Sequence, residues 1–129
     1  MTGYLLDSDA VIDYLRGIER SRALIQELYD RGERLCTCSV VIAEVYAGMK
    51  PDHMEVAEEL LLGLTFLPTS LEAARQAGQW RYAYDRRGIS LSTADVLIAA
   101  TARLHQAAVI TGNGSHYPMP EVRVLPLPR

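Results

Sequence analysis

The 129-residue chain is 49% hydrophobic and 22% charged, a balance that supports one packed domain and excludes the disordered and fibrous classes. Thirteen Lys and Arg against 16 Asp and Glu leave a formal net charge of -3, so no whole-chain basic field attracts nucleic acid or an anionic membrane, and any polyanion must be met by a local cluster. With two cysteines, Cys36 and Cys38, and His only at 53, 105 and 116, the chain forms neither a disulfide framework nor a zinc-ligand spacing.

Tyr4-Leu5-Leu6 is a short apolar run that stops at Asp7-Ser8-Asp9, after which Ala10, Val11, Tyr14 and Leu15 recur at helical spacing; a strand and then a helix are predicted. A second helical pattern runs from Ile18 to Tyr29, with Gly32 at its C-terminal end. Leu35 to Cys38 reads as the second strand, whose period of two puts both cysteines on one face as small buried hydrophobes. Ser39 is placed to cap a helix through Ile42, Val45 and Tyr46 that closes at Gly48, and Pro51 opens another at about Asp52 to Leu62. Thr65-Phe66-Leu67 is the third strand.

Ser70 starts a helix through Trp80 and Tyr84 that breaks near Gly88, and Ser92 starts one that runs through Leu104. Val109-Ile110 is the fourth strand, followed by the loop Thr111-Gly112-Asn113-Gly114, and Val122 to Leu125 is a last edge strand before a proline-punctuated tail. Alternating strands and helices imply an α/β fold, a mostly parallel sheet of four to five strands flanked by helices, within one domain spanning 1–129. The N-terminus has no basic leader, and no apolar stretch reaches the roughly 18 residues of a membrane span, so a cytoplasmic protein without membrane contact is expected.

Function in an open parallel sheet sits outside the carboxyl ends of the strands, which singles out the polar residues just beyond each apolar run. Asp7 follows the first strand, where an N-cap would serve equally well. Glu44 lies about a turn past the second strand among Ile42, Ala43 and Val45, and it would also suit the solvent stripe of an amphipathic helix. Asp95 enters the apolar run Val96 to Ala100, although Ser92 and Asp95 together also form a capping-box pattern. Asn113 and His116 follow the fourth strand, in what is equally a plain Asn-Gly turn. If the sheet is parallel, the ends near 7, 38 and 111 share one rim and three carboxylates meet there. Like charges so close call for protons or cations, and an oxygen-only donor set points to Mg2+, with Mn2+ as the alternative, and to phosphoryl chemistry on a metal-activated water.

These segments carry a resemblance. YLLDSDAVIDYLRG at 4–17, SVVIAEVYAG at 39–48, DVLIAATA at 95–102 and TGNGSHYP at 111–118 are similar, in order and spacing, to the four successive motifs of the PIN-domain ribonucleases, most nearly the VapC toxin branch. The resemblance implies a Mg2+- or Mn2+-dependent endoribonuclease acting on RNA, neutralised by a cognate VapB-type antitoxin and homodimeric. Carried over, Asp7, Glu44 and Asp95 match the three invariant acids and metal ligands, with Asn113 as a fourth catalytic position. Ser8, Thr93 and Thr111 match hydroxyls that orient ligands or water. Two departures stand out: Asp9 occupies a position where the family usually has Asn, and Asn113 and His116 stand where it often has an acid.

The alternative is a catalytically weakened PIN-like module that only binds RNA or protein. A haloacid-dehalogenase-type phosphatase would use Asp7-Ser8-Asp9 similarly, yet its downstream lysine and acidic pair are missing, and a phosphoryl receiver would need an acid where Leu67-Pro68-Thr69 stands. For substrate contact, Arg81, Arg86 and Arg87 with Tyr82 and Tyr84 could clamp phosphates and stack bases, or simply form a solvated helix face. For an antitoxin, Val45, Tyr46, Met49, Met54 and Leu61 are the candidate apolar surface, the other reading being intramolecular core.

Overall fold

A computed structural model describes residues 3–128. The short β-branched and aliphatic runs pair as a five-stranded sheet of order β3-β2-β1-β4-β5, parallel at every pairing, formed by β1 (Gly3–Leu6), β2 (Arg34–Thr37), β3 (Thr65–Phe66), β4 (Ala107–Thr111) and β5 (Val124–Pro126). Helices α1 (Ser8–Leu15), α2 (Glu19–Asp30), α3 (Ser39–Ala47), α4 (Met54–Leu62), α5 (Leu71–Asp85) and α6 (Thr93–Leu104) make the crossovers. Strand β4 lies buried along its whole length, as a strand covered on both faces must be, which is why it reads as an apolar run rather than an alternating one.

The central strand β1 pairs with β2 on one side and β4 on the other, Leu5 standing opposite both Cys36 and Val109. The chain moves outward to β2 and β3 and then returns to the opposite flank, so the order reverses at β1. Connections leave in opposite directions there and open a crevice beyond the strands' carboxyl ends. Helix α6 runs beneath this region and is buried nearly all round, through Val96, Ile98, Ala99, Ala100, Thr101 and Ala102. Its one interior hydroxyl, on Thr101, is satisfied by donating to Leu97 O at 2.8 Å.

Several boundaries move from their expected places, each for a local reason. Ser39 is the first helical residue of α3, and Cys38, in extended backbone and without a side-chain capping bond, is its N-cap. The strand therefore ends at Thr37, although both cysteines are fully buried as expected. Pro51 opens a short 3-10 turn, Pro51–His53, that delays α4 to Met54. The last strand begins at Val124 rather than Val122 and accepts Pro126 because it is an edge, with no outer neighbour requiring an N–H. Ser70 and Ser92 cap α5 and α6 as predicted, accepting from Ala73 N and Asp95 N at 3.1 and 3.0 Å. Gly32 and Gly88, at φ +77° and +80°, terminate α2 and α5 in the left-handed region. The candidate apolar surface divides: Val45 and Leu61 are only 1% and 6% exposed and belong to the core, whereas Tyr46, Met49 and Met54 are half-buried and reach the surface.

Candidate active site

Asp7 follows the last residue of β1, and its N–H continues the ladder by donating to Ile110 O at 3.0 Å. It is the N-cap of α1, with Oδ1 accepting from Ser8 N at 2.8 Å. The capping reading is therefore correct, and it is not sufficient. Asp7 is 5% exposed, and its Oδ2 accepts two further hydrogen bonds, from Thr111 Oγ1 and from the Tyr117 hydroxyl, both at 2.9 Å. Two donors fill the two lone pairs of Oδ2, while Oδ1, which accepts from Ser8 N, keeps one lone pair open. A buried carboxylate held by three donors is far more fixed than a cap requires.

The other acids share its field. Burial raises the Glu44 carboxyl above its ordinary value, opposed by a hydrogen bond from the Ser8 side chain and reinforced by the charges of Asp7, Asp95 and Asp9. Asp95 is likewise raised by burial, against the Ser92 side chain and the His116 ring that favour its charged form, with the Asp7 charge adding to the rise. Glu44 on α3 thus feels Asp7, Asp9 and Asp95, and Asp95 at the start of α6 feels Asp7. Among the described residues, no three His, Cys, Asp or Glu side chains form a ready-made metal-holding group. The donor chemistry nevertheless fits a hard divalent cation, since carboxylate oxygens supply hard ligands and negative charge.

Loop 111–117 locks onto the first motif. Thr111 is buried and, besides bonding Asp7, accepts from Asn113 N at 3.0 Å. Asp9 Oδ2 accepts from Gly112 N at 2.8 Å and from Asn113 Nδ2 at 3.1 Å. Asn113 thus turns its amide nitrogen to Asp9, while His116 Nδ1 lies 3.3 Å from Asp95 Oδ2. Of the expected orienting hydroxyls, Ser8 meets Glu44 and Thr111 meets Asp7. The Thr93 hydroxyl instead accepts from Arg81 at 2.6 Å, and the hydroxyl beside Asp95 belongs to Ser92. Arg86 and Arg87 follow the end of α5, their guanidinium groups 4.4 and 4.8 Å from the ring centres of Tyr82 and Tyr84. Tyr82 is exposed and Tyr84 buried, so the first stack faces solvent and the second braces the core.

Tyr117 and Ser92 were not singled out from the sequence as site residues. The Tyr117 signal was its type: a tyrosine at 4% exposure needs a partner for its hydroxyl. Burial first, and then the charges of Asp7 and Asp95, push that hydroxyl's pKa up, so it remains a donor at every working pH.

The raised acids have a direct consequence for the metal-free chain. A carboxyl that binds its proton more tightly folded than unfolded favours the native state at low pH; as pH rises from about 4, the unfolded chain ionises first and stability falls. Equilibrium unfolding between pH 4 and 7 should show a shallower decline for Glu44→Gln than for wild type. Equal slopes would mean that the Glu44 carboxyl is not raised in the folded chain.

Comparison with known proteins gives the family and the fold. The family model described as PIN domain matches residues 4–121. Ribonuclease VapC19 of Mycobacterium tuberculosis is 32% identical over 117 residues, covering 89% of this chain and 92% of the relative. Ribonuclease VapC10 of the same organism is 32% identical over 115 residues, covering 89% and 86%. Among solved structures, a chain of the DNA-bound VapBC from Salmonella typhimurium superposes with a TM-score of 0.85 at 23% identity over 99% of this chain and all of that one. A chain of FitAcB from Neisseria gonorrhoeae gives 0.75 at 25% identity, covering 95% and 96%.

Proposed function

The chain belongs to the PIN-domain family, and on that premise we propose that it is a VapC-type endoribonuclease toxin, one nuclease domain whose Asp7, Glu44 and Asp95 hold Mg2+ or Mn2+ to hydrolyse RNA phosphodiesters. What supports this reading above all is the fixed Asp7 carboxylate, bound by three donors at the reversal point of the sheet and sharing its field with Glu44 and Asp95. When bound, the ion would lower the pKa of a water and neutralise charge building on the phosphate.

The chain's own residues do the rest. Thr111 and Tyr117 hold Asp7 through Oδ2, and Ser8 orients Glu44. Thr93 anchors Arg81 beside the start of α6, where with the exposed Tyr82 and Arg86 pair it would meet the phosphates and bases of a single strand. The VapBC complexes to which the fold is similar support a VapB-type antitoxin as partner, acting in the cytoplasm on a homodimer. Its docking surface is better sought in the groove between α1 and the start of α4, a 360 Å³ cavity with Ile12, Leu15, Met49 and Val56 in its wall and Arg16 and Lys50 at its edge, than at the buried Val45 and Leu61. No helix among the described residues is long and apolar enough to cross a membrane.

The test is the purified, antitoxin-free chain on single-stranded RNA. Cleavage should require Mg2+ or Mn2+ and stop with chelator, and saturating metal at 100 times its dissociation constant should stabilise the fold by about 2.7 kcal/mol. Cleavage that persists in chelator, or a chain that neither binds metal nor cuts RNA, would overturn the reading.

A further inference from the structure

Asp9 stands in the first turn of α1, two residues past a cap that Asp7 already supplies. A further acid there gains a little from the helix macrodipole, but it adds a fourth negative charge to a region that holds three. Its charge reaches Glu44 and Tyr117, both of which it makes harder to ionise, so Asp9 lies within the field of the rim and not on an unrelated face. Nor does it point outward as a solvated helical acid would. It is half-buried, and Oδ2 is held by two donors from the opposite side of the crevice, Gly112 N at 2.8 Å and Asn113 Nδ2 at 3.1 Å.

We propose that Asp9 supplies the fourth carboxylate charge of the metal-holding rim and that Asn113 is its neutral positioning partner, so that acid and amide form one unit bridging α1 and the loop after β4. The inference rests on the metal-dependent reading above and extends it to a residue pair.

The chemistry of the pair gives it a distinctive test. The bond from Asn113 to Asp9 joins an amide donor to a carboxylate acceptor, and exchanging the two side chains keeps the total charge while moving the carboxylate to the other end of that contact. Gly112 N and Asn113 Nδ2 meet the same oxygen, Asp9 Oδ2, so an amide at position 9 that turns its nitrogen to a carboxylate at position 113 gives up the bond from Gly112 N. The single variants are not neutral: Asp9→Asn removes one charge, and Asn113→Asp sets two carboxylates about 3 Å apart, where like charges do not both ionise freely.

The experiment measures Mg2+ and Mn2+ affinity by titration calorimetry on folded chains, checked by circular dichroism, for wild type, Asp9→Asn, Asp9→Asn/Asn113→Asp and Asp95→Asn. Asp9→Asn should weaken metal affinity by about tenfold, the lower end of what partners of metal ligands cost when lost. The doubly exchanged chain should recover part of that loss. Undiminished affinity in Asp9→Asn, or a double variant as weak as the single one, would overturn the proposal while leaving the nuclease reading intact, provided that Asp95→Asn does lose metal. A wild-type chain that binds neither ion would overturn both.

Discussion

Asp95→Asn is expected to reduce RNA cleavage by at least about a hundredfold while leaving the metal-free chain as stable as wild type, or more so. Groups that merely hydrogen-bond to metal ligands cost 10- to 100-fold when removed, so loss of a ligand belongs at the top of that range or beyond. The stability change has the opposite sign because the Asp95 carboxyl is already disfavoured as an anion, chiefly by burial and further by Asp7. Its amide isostere keeps the backbone N–H that Ser92 accepts, so the helix cap survives. An acid that only capped α6 would behave the other way, losing about 0.5–2 kcal/mol of stability with activity retained. Cleavage rate and the urea midpoint in chelator, measured on one preparation, separate the two.

Tyr117→Phe should act through Asp7 without touching substrate. The ring still fills its buried site, but Asp7 Oδ2 loses one of its two hydroxyl donors, and a hydrogen bond to a charged group contributes about 1.5–3 kcal/mol. With Thr111 as its remaining partner on that oxygen, the carboxylate gains freedom to rotate away from the rim. The turnover number should fall by about 10- to 100-fold with KM little changed. Because the Tyr117 hydroxyl stays protonated throughout the working range, the pH profile should keep its shape. Full activity in Tyr117→Phe would reduce that hydroxyl to packing.

The strand ends were readable because apolar runs stop abruptly at polar residues, and parallel pairing then brings the ends of β1, β2 and β4 together. The order of motifs along the chain likewise singles out Asp7, Glu44 and Asp95 as the candidate acids. Side-chain direction was not readable. Thr93 and Ser92 are adjacent hydroxyls at the head of α6, and only packing against α5 decides that Thr93 turns to Arg81 while Ser92 serves the cap. For Val45 and Leu61 the pattern allowed core or interface, and burial between helix and sheet resolved it to core. The contact between Asp9 and Asn113 spans 104 residues, a relation that local periodicity does not encode.

The same long closures bear on when the site can form during synthesis. Synthesis runs from the N-terminus, and domains fold as units once their sequence has emerged. Asp7 is synthesised well before two of its three donors, which lie 104 and 110 residues downstream, and before β4, which flanks β1 and begins at Ala107. Until that stretch is made, the central strand lacks its β4 neighbour and the Asp7 carboxylate lacks two of its three donors. A chain cut short before β4 therefore cannot hold Asp7 as the folded domain does.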